Sequence, residues 1–246
     1  MQLQSLADRV ALVTGAGSGL GEATAVALAE AGCRVACLDV RGEAAERTRH
    51  RLGGNHDHLA IACDVGDEGQ VAAAIAQIAE TCRRLDFAIS CAAIDHTYSV
   101  EEMSIEQWDQ VIRVNLRGPF LIARAAMPQM RRNGGGHIVN VASTAATRAW
   151  ANAAAYHASK WGLVGFSRGL GVEGRPHNIR VSTIFPGGMR THFFDRFEEQ
   201  GIPMPDERNL QAPATVAEAI VFMLSTPGNS VIQELMITPL SETSWP

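Results

Sequence analysis

The chain has 246 residues, 46% hydrophobic and 19% charged, with 21 Lys and Arg against 26 Asp and Glu, a formal net charge of −5. Those proportions describe a globular protein able to bury a full core as one domain spanning 1–246, and they exclude the disordered and membrane-embedded classes. An acidic chain without basic runs is also a poor partner for nucleic acid, where affinity rests on neutralised phosphates.

Met1 to Arg9 holds no apolar stretch of signal-peptide length, and no later run is long enough to cross a bilayer. Cys33, Cys37, Cys63, Cys82 and Cys91 form no CxxC pair and lie in or beside apolar runs, so they read as reduced, mostly buried thiols of a cytoplasmic protein.

Arg9–Thr14 is an apolar run that predicts a buried strand, and Leu20–Ala31 is the helix after it. Between them Thr14-Gly15-Ala16-Gly17-Ser18-Gly19-Leu20-Gly21 makes a turn in which glycines let the backbone approach a pyrophosphate and the helix N-terminus offers free N–H groups. The second strand, Arg34–Asp39, ends on a carboxylate that can accept hydrogen bonds from both ribose hydroxyls and would repel a 2′-phosphate. Asp39 therefore favours NAD over NADP, while the Arg41 guanidinium, able to meet a phosphate or stack on adenine, argues the other way. Helix Gly42–Leu52 follows. His56 and His58 lie in the next loop with no carboxylate or thiol cluster at ligand spacing, so no metal site is expected.

Strand Leu59–Cys63 leads to Asp64, a candidate N-cap for helix Glu68–Cys82. Strand Phe87–Cys91 is followed by a long helical stretch, Ile105–Arg132, with Asn115 in its middle, ended by the turn Asn133–Gly136. The fifth strand, His137–Ala142, delivers Ser143 at its carboxyl end, the rim where ligands bind in parallel sheets. On helix Ala153–Gly174, Tyr156 and Lys160 are four residues apart and share a face. A tyrosine is a poor base at neutral pH, but a neighbouring ammonium favours its phenolate and fits it to take an alcohol proton.

Strand Ile179–Phe185 opens an irregular region, Pro186 to Pro213, in which Phe193, Phe194 and Phe197 are either a binding lid or the packed face of a short helix. Helix Thr215–Leu224 and strand Glu234–Thr238 complete the chain. Strand and helix alternate throughout, which implies right-handed crossovers and a doubly wound parallel α/β sheet of seven strands.

Four sets of residues together resemble the short-chain dehydrogenase/reductase family. They are TGxxxGxG at Thr14, Gly15, Gly19 and Gly21, YxxxK at Tyr156 and Lys160, Ser143 thirteen residues before that tyrosine, and PGxxxT from Pro186 to Thr191. The resemblance implies a Rossmann fold and interconversion of a secondary alcohol and a ketone, with Tyr156 as acid–base, Ser143 orienting the substrate oxygen, Lys160 beside the tyrosine, and Asn115 holding a proton relay. It implies dinucleotide contacts from Gly15, Ser18, Gly19 and Leu20, from Asp39 at the ribose, from Asp64 and Val65 at the adenine, and from Ala92. Pro186, Gly187 and Thr191 would meet the nicotinamide carboxamide, and Tyr156 and Lys160 would reach the cofactor as well. Family members assemble as tetramers or dimers, so Trp245 is either an interface residue or a tail aromatic.

The likeness breaks in two places. Ser90-Cys91-Ala92-Ala93 stands where the family has Asn-Asn-Ala-Gly, and the C-terminus lacks the usual Asp-Gly-Gly. The first departure keeps open a non-catalytic, dinucleotide-binding redox sensor on the same fold. A sugar-nucleotide epimerase or dehydratase normally needs a longer C-terminal region. Ile94, His96, Ala145, Trp150, Met189, His192 and Phe193 are the expected substrate walls, and Arg148 or Arg190 could meet an anionic group.

Overall fold

The computed structural model describes residues 3–54, 56–195, 197 and 201–242. Trp245 lies outside them. Among the described residues, seven parallel strands form one sheet in the order β3-β2-β1-β4-β5-β6-β7: β1 Val10–Thr14, β2 Arg34–Asp39, β3 Leu59–Ala62, β4 Phe87–Ser90, β5 Gly136–Val141, β6 Ile179–Pro186 and β7 Glu234–Ile237. Each expected strand is present to within a residue or so of its bounds, and Gly136 starts β5 rather than ending the preceding turn.

Side chains alternate across the strands and fill two cores. Ala11 and Val13 of β1 pack with Leu28 of α1 (Gly19–Glu30), Ala45 of α2 (Gly42–Arg51) and Ile220 of α7 (Pro213–Leu224). Val10 and Leu12 face the opposite way, onto Ile75 of α3 (Glu68–Cys82), Ile122 of α5 (Gly118–Arg132) and Leu170 of α6 (Ala154–Gly174). Both faces of the sheet are covered, which is why its central strands read as continuous apolar runs.

Two local details depart from the sequence reading. The long helical stretch is α4 (Ile105–Ile112) joined to α5 through a π turn, Arg113–Arg117, that contains Asn115. The cap of α3 is Asp67, which accepts from the Gln70 N–H at 2.8 Å, and not Asp64. None of the helices among the described residues is long and apolar enough to cross a membrane.

A buried polar chain ties β5 to β6. The Ser182 hydroxyl donates to the Ile232 carbonyl at 2.6 Å, so it accepts from His137 Nε2, 2.7 Å away. Burial, reinforced by the Arg180 charge, lowers the His137 pKa to about 3, and the ring is neutral.

The strand order places β1 between β2 and β4. Connections therefore leave β1 and β4 in opposite directions, and a crevice opens beyond their carboxyl ends.

Candidate functional site

A cavity of about 1180 Å³ occupies that crevice and runs from Asp39 and Arg41 at one end to Trp150 and Phe194 at the other. Its floor is the turn after β1. Gly15 and Gly19 have φ of +65° and +55°, and a Cβ on Gly15 would sit 2.8 Å from Ala92 Cα. At Gly21 it would lie 2.0 Å from the Gly15 carbonyl oxygen. Ser18 caps α1 by its backbone without a side-chain bond, so the first N–H groups of the helix stay open to an anion. Thr14 Oγ1 accepts from the Ala92 N–H at 3.2 Å and links the ends of β1 and β4.

Asp39 lies at one end of this cradle. Its carboxylate accepts from the backbone N–H of Gly17 and of Arg41, each at 2.9 Å, which aims it at the turn. The Arg41 guanidinium stays largely exposed, 3.6 Å from that carboxylate and 3.4 Å from Ser18 Oγ. Asp64 accepts from the Gly66 N–H at 2.8 Å and from Arg113 at 2.7 Å, and Val65 lines the cavity beside it. Burial pushes the Asp64 carboxyl up, but Arg113 and Gly66 outweigh it and hold the pKa below the ordinary carboxylate value. The glycine cradle, the open helix end and the carboxylate at the end of β2 fit a dinucleotide.

At the other end Tyr156 and Lys160 project from the same side of α6. Lys160 is 2% exposed, its Nζ donates to the Val141 carbonyl at 2.8 Å, and it lies 5.5 Å from the centre of the Tyr156 ring. Burial lowers its pKa to about 8, against the partial opposition of Cys91 and Asp95. Ser143 follows β5 and caps the 3₁₀ turn Thr144–Ala146, accepting from the Ala145 N–H at 3.1 Å. Asn115 is buried in the π turn. Its amide exchanges hydrogen bonds with both the N–H and the C=O of Ile94, each at 2.8 Å, and donates to Ser159 Oγ at 3.1 Å. A π turn widens the helix by one residue, which sets this side chain towards the loop after β4.

Pro186, Gly187 and Thr191 close the third side. Thr191 caps the turn His192–Phe194 by accepting from the Phe193 N–H at 3.3 Å, and its methyl would be 3.2 Å from a Cβ on Gly19, so this loop touches the glycine turn. Phe193 packs on Tyr156 at 5.5 Å between ring centres, Phe194 on Phe193 at 5.8 Å and Phe197 on Phe194 at 5.3 Å. All three phenylalanines line the cavity, and Phe193 and Phe194 sit on the short turn His192–Phe194, so the lining face and the packed face coincide.

The structure corrects part of the substrate wall. Ile94, Trp150, Met189, His192 and Phe193 line the cavity. His96 bonds Gln110 at 2.9 Å and is not among the lining residues, and Ala145 is fully buried behind the wall. Arg190 donates to the Leu210 carbonyl at 2.7 Å and does not face the cavity.

The unusual segment after β4 also leaves a trace. Ser90 pairs with Asn140 in the parallel register, and neither Ser90 Oγ nor Asn140 Oδ1 has a hydrogen-bond partner among the described residues. A hydroxymethyl group is too short to fill the place of an amide. Cys91 packs on Thr24, and burial pushes its thiol pKa up to about 12, the behaviour of a packed rather than a reactive cysteine.

Two residues that shape the cavity wall escape sequence reasoning. His157, next to Tyr156, bonds the Ala145 carbonyl through Nδ1 at 2.8 Å and accepts from the Trp150 N–H at 3.1 Å, pinning the loop after Ser143 to α6. Glu242 reaches the cavity from the C-terminal tail to pair with Arg148. The histidine's position beside the YxxxK pair was a usable signal, whereas a carboxylate 94 residues from its partner offers none.

Comparison with known proteins agrees with this geometry. The model of the short chain dehydrogenase family matches residues 9–201. A D-threitol dehydrogenase of Mycolicibacterium smegmatis is 43% identical over 182 residues, covering 74% of this chain and 70% of the relative. A levodione reductase of Leifsonia aquatica is 33% identical over 241 residues, covering 91% and 90%. The crystal structure of a 3-ketoacyl-(acyl-carrier-protein) reductase from Brucella melitensis, complexed with NADH, superposes with a TM-score of 0.86 at 33% identity, covering 95% and 98%. With its TGxxxGxG turn, its YxxxK helix and this match over most of its length, the chain belongs to the short-chain dehydrogenase family of oxidoreductases.

Proposed function

We propose that residues 1–246 form one dehydrogenase domain that uses NAD to interconvert a secondary alcohol and its ketone. The observation that carries this reading is the buried Lys160 ammonium beside the Tyr156 ring, in the same cavity as the glycine turn. Gly15, Ser18, Gly19 and Leu20 would hold the pyrophosphate, Asp64, Val65 and Ala92 the adenosine side, and Pro186, Gly187 and Thr191 the carboxamide. Asp39, with one carboxylate oxygen held by the Gly17 N–H and the other by the Arg41 N–H, would take the ribose hydroxyls and disfavour a 2′-phosphate. When bound, the dinucleotide supplies the two-electron oxidation or reduction of the substrate carbon.

The chain's own residues handle the proton. Tyr156 takes it from the alcohol oxygen in oxidation and returns it in reduction. The Lys160 charge favours the phenolate, and its ammonium would also hold the ribose. Ser143 orients the substrate oxygen, and Asn115, fixed by Ile94 and Ser159, serves the proton relay behind the lysine.

The test is Tyr156→Phe, assayed with NAD against small polyols and with NADH against ketones, the directions that the D-threitol dehydrogenase and the levodione reductase suggest. We expect turnover to fall about a thousandfold, the scale of a lost acid–base, while the Kd for NAD changes less than about threefold. A variant that keeps a tenth of the activity removes Tyr156 from the mechanism. The unpartnered Ser90 and Asn140 atoms favour a second reading, a dinucleotide-binding sensor. Tight NAD binding without turnover on any of these substrates would select it.

A further inference from the structure

Arg148 lies just past Ser143 on the cavity wall. Its backbone N–H donates to the Thr144 carbonyl at 3.2 Å, and its Nη2 donates to Thr144 Oγ1 at 3.3 Å and to the Glu242 carboxylate. The two side chains are 15% and 12% exposed, and both line the cavity. Nη2 alone makes these side-chain bonds. Nε and Nη1 are buried, and none of the described residues accepts from them.

A buried ion pair kept only for stability is a poor bargain, since apolar residues of similar volume fill the same space without stranding donors. Unmet N–H groups on a cation at a cavity wall are instead suited to an oxygen that arrives with a ligand. The Trp150 indole lies over the guanidinium, 5.8 Å from Cζ to the ring centre, and is 48% exposed, so the cover above these donors is a side chain with room to swing.

We propose that Arg148, held by Glu242, is a specificity-determining residue that donates hydrogen bonds to a second oxygen of a neutral, polyhydroxylated substrate. The proposal rests on the reading of Tyr156 and Ser143 given above and names the substrate class of that same site. Charge decides between the candidate classes. Glu242 offsets the Arg148 charge and its carboxylate opposes an approaching carboxylate or phosphate. A hydroxyl can accept from the guanidinium and donate to a carboxylate. A purely apolar alcohol leaves the donors unmet, and the site discriminates against it for that reason.

The test measures the ratio of kcat/KM for threitol to that for 2-butanol, with saturating NAD, in wild type, R148M, R148K and the double variant R148M/E242Q. The double variant removes both charges, so the test survives if a lone Glu242 destabilises R148M. Wild type should favour threitol, and the ratio should fall at least tenfold in R148M and in the double variant, mainly through a higher KM for threitol, with partial recovery in R148K. A second readout needs no turnover: threitol should raise the Tm of the NAD complex of wild type and not that of the double variant. A wild type that prefers 2-butanol, or a ratio within twofold of wild type in both variants, overturns the proposal and leaves the dehydrogenase reading standing. Failure of wild type to oxidise either alcohol overturns both.

Discussion

Lys160 Nζ reaches from α6 to the Val141 carbonyl at the end of β5, a 2.8 Å hydrogen bond made by a side chain almost sealed from solvent. One bond to a neutral carbonyl does not replace the hydration of an ammonium, and the lysine's pKa falls to about 8 for that reason.

This burial has a sign that can be measured. Between about pH 8 and the ordinary value of 10.5 the unfolded chain holds a proton that the native lysine has released, so stability rises with pH through that window. Below it the buried charge costs on the order of 3 kcal/mol. Lys160→Met should therefore unfold at higher urea than wild type at neutral pH without dinucleotide, a gain of about 1–3 kcal/mol, and should lose turnover. A variant less stable than wild type would mean that the Val141 bond outweighs the desolvation.

At the other end of the cavity, Asp39→Ala should move the NAD to NADP ratio of kcat/KM towards NADP by about tenfold or more, since roughly 1.4 kcal/mol is tenfold. Steady-state kinetics with both cofactors read this directly. An unchanged ratio would pass the selection to Arg41, which stands 3.6 Å from the same carboxylate.

Asn115 answers both polar groups of one residue, the N–H and C=O of Ile94. Asn115→Ala leaves both without this partner in a part-buried place and should cost about 1–3 kcal/mol in urea unfolding, along with a loss of activity. If the variant unfolds at the wild-type midpoint, the π turn is held by packing alone.

His137 predicts acid sensitivity. Below about pH 6.5 the unfolded chain takes up a proton that the native ring refuses until about pH 3, so stability falls as pH drops through that interval. The contribution between neutrality and about pH 4.5 is roughly 3 kcal/mol. His137→Gln, which can still donate to Ser182, should lose that much less stability over the same range. Parallel unfolding slopes for both proteins would show that other groups govern the acid transition.

Several features are legible in the amino-acid sequence because they are local. Strands covered on both faces must be apolar through their middle, and Val10–Val13 of β1 and Val35–Leu38 of β2 are so written. Tyr156 and Lys160 share a side of α6 because four residues make about one helical turn. Where two neighbours offer the same chemistry, spacing alone does not choose: Asp64 and Asp67 both precede α3, and only the downstream one has the reach to the Gln70 N–H that makes it the cap.

By itself, then, the chain's order of residues determined the doubly wound sheet and the type of chemistry its crevice is furnished for, because periodicity and helical pitch act over a few residues. Tertiary structure alone decided which side chains finish the site. It paired His96 with Gln110, tied Arg190 to Leu210, widened the helix at Asn115, and brought Glu242 to Arg148. Those outcomes depend on which segments the crossovers bring side by side, and a contact between residues far apart in sequence leaves no local pattern to read.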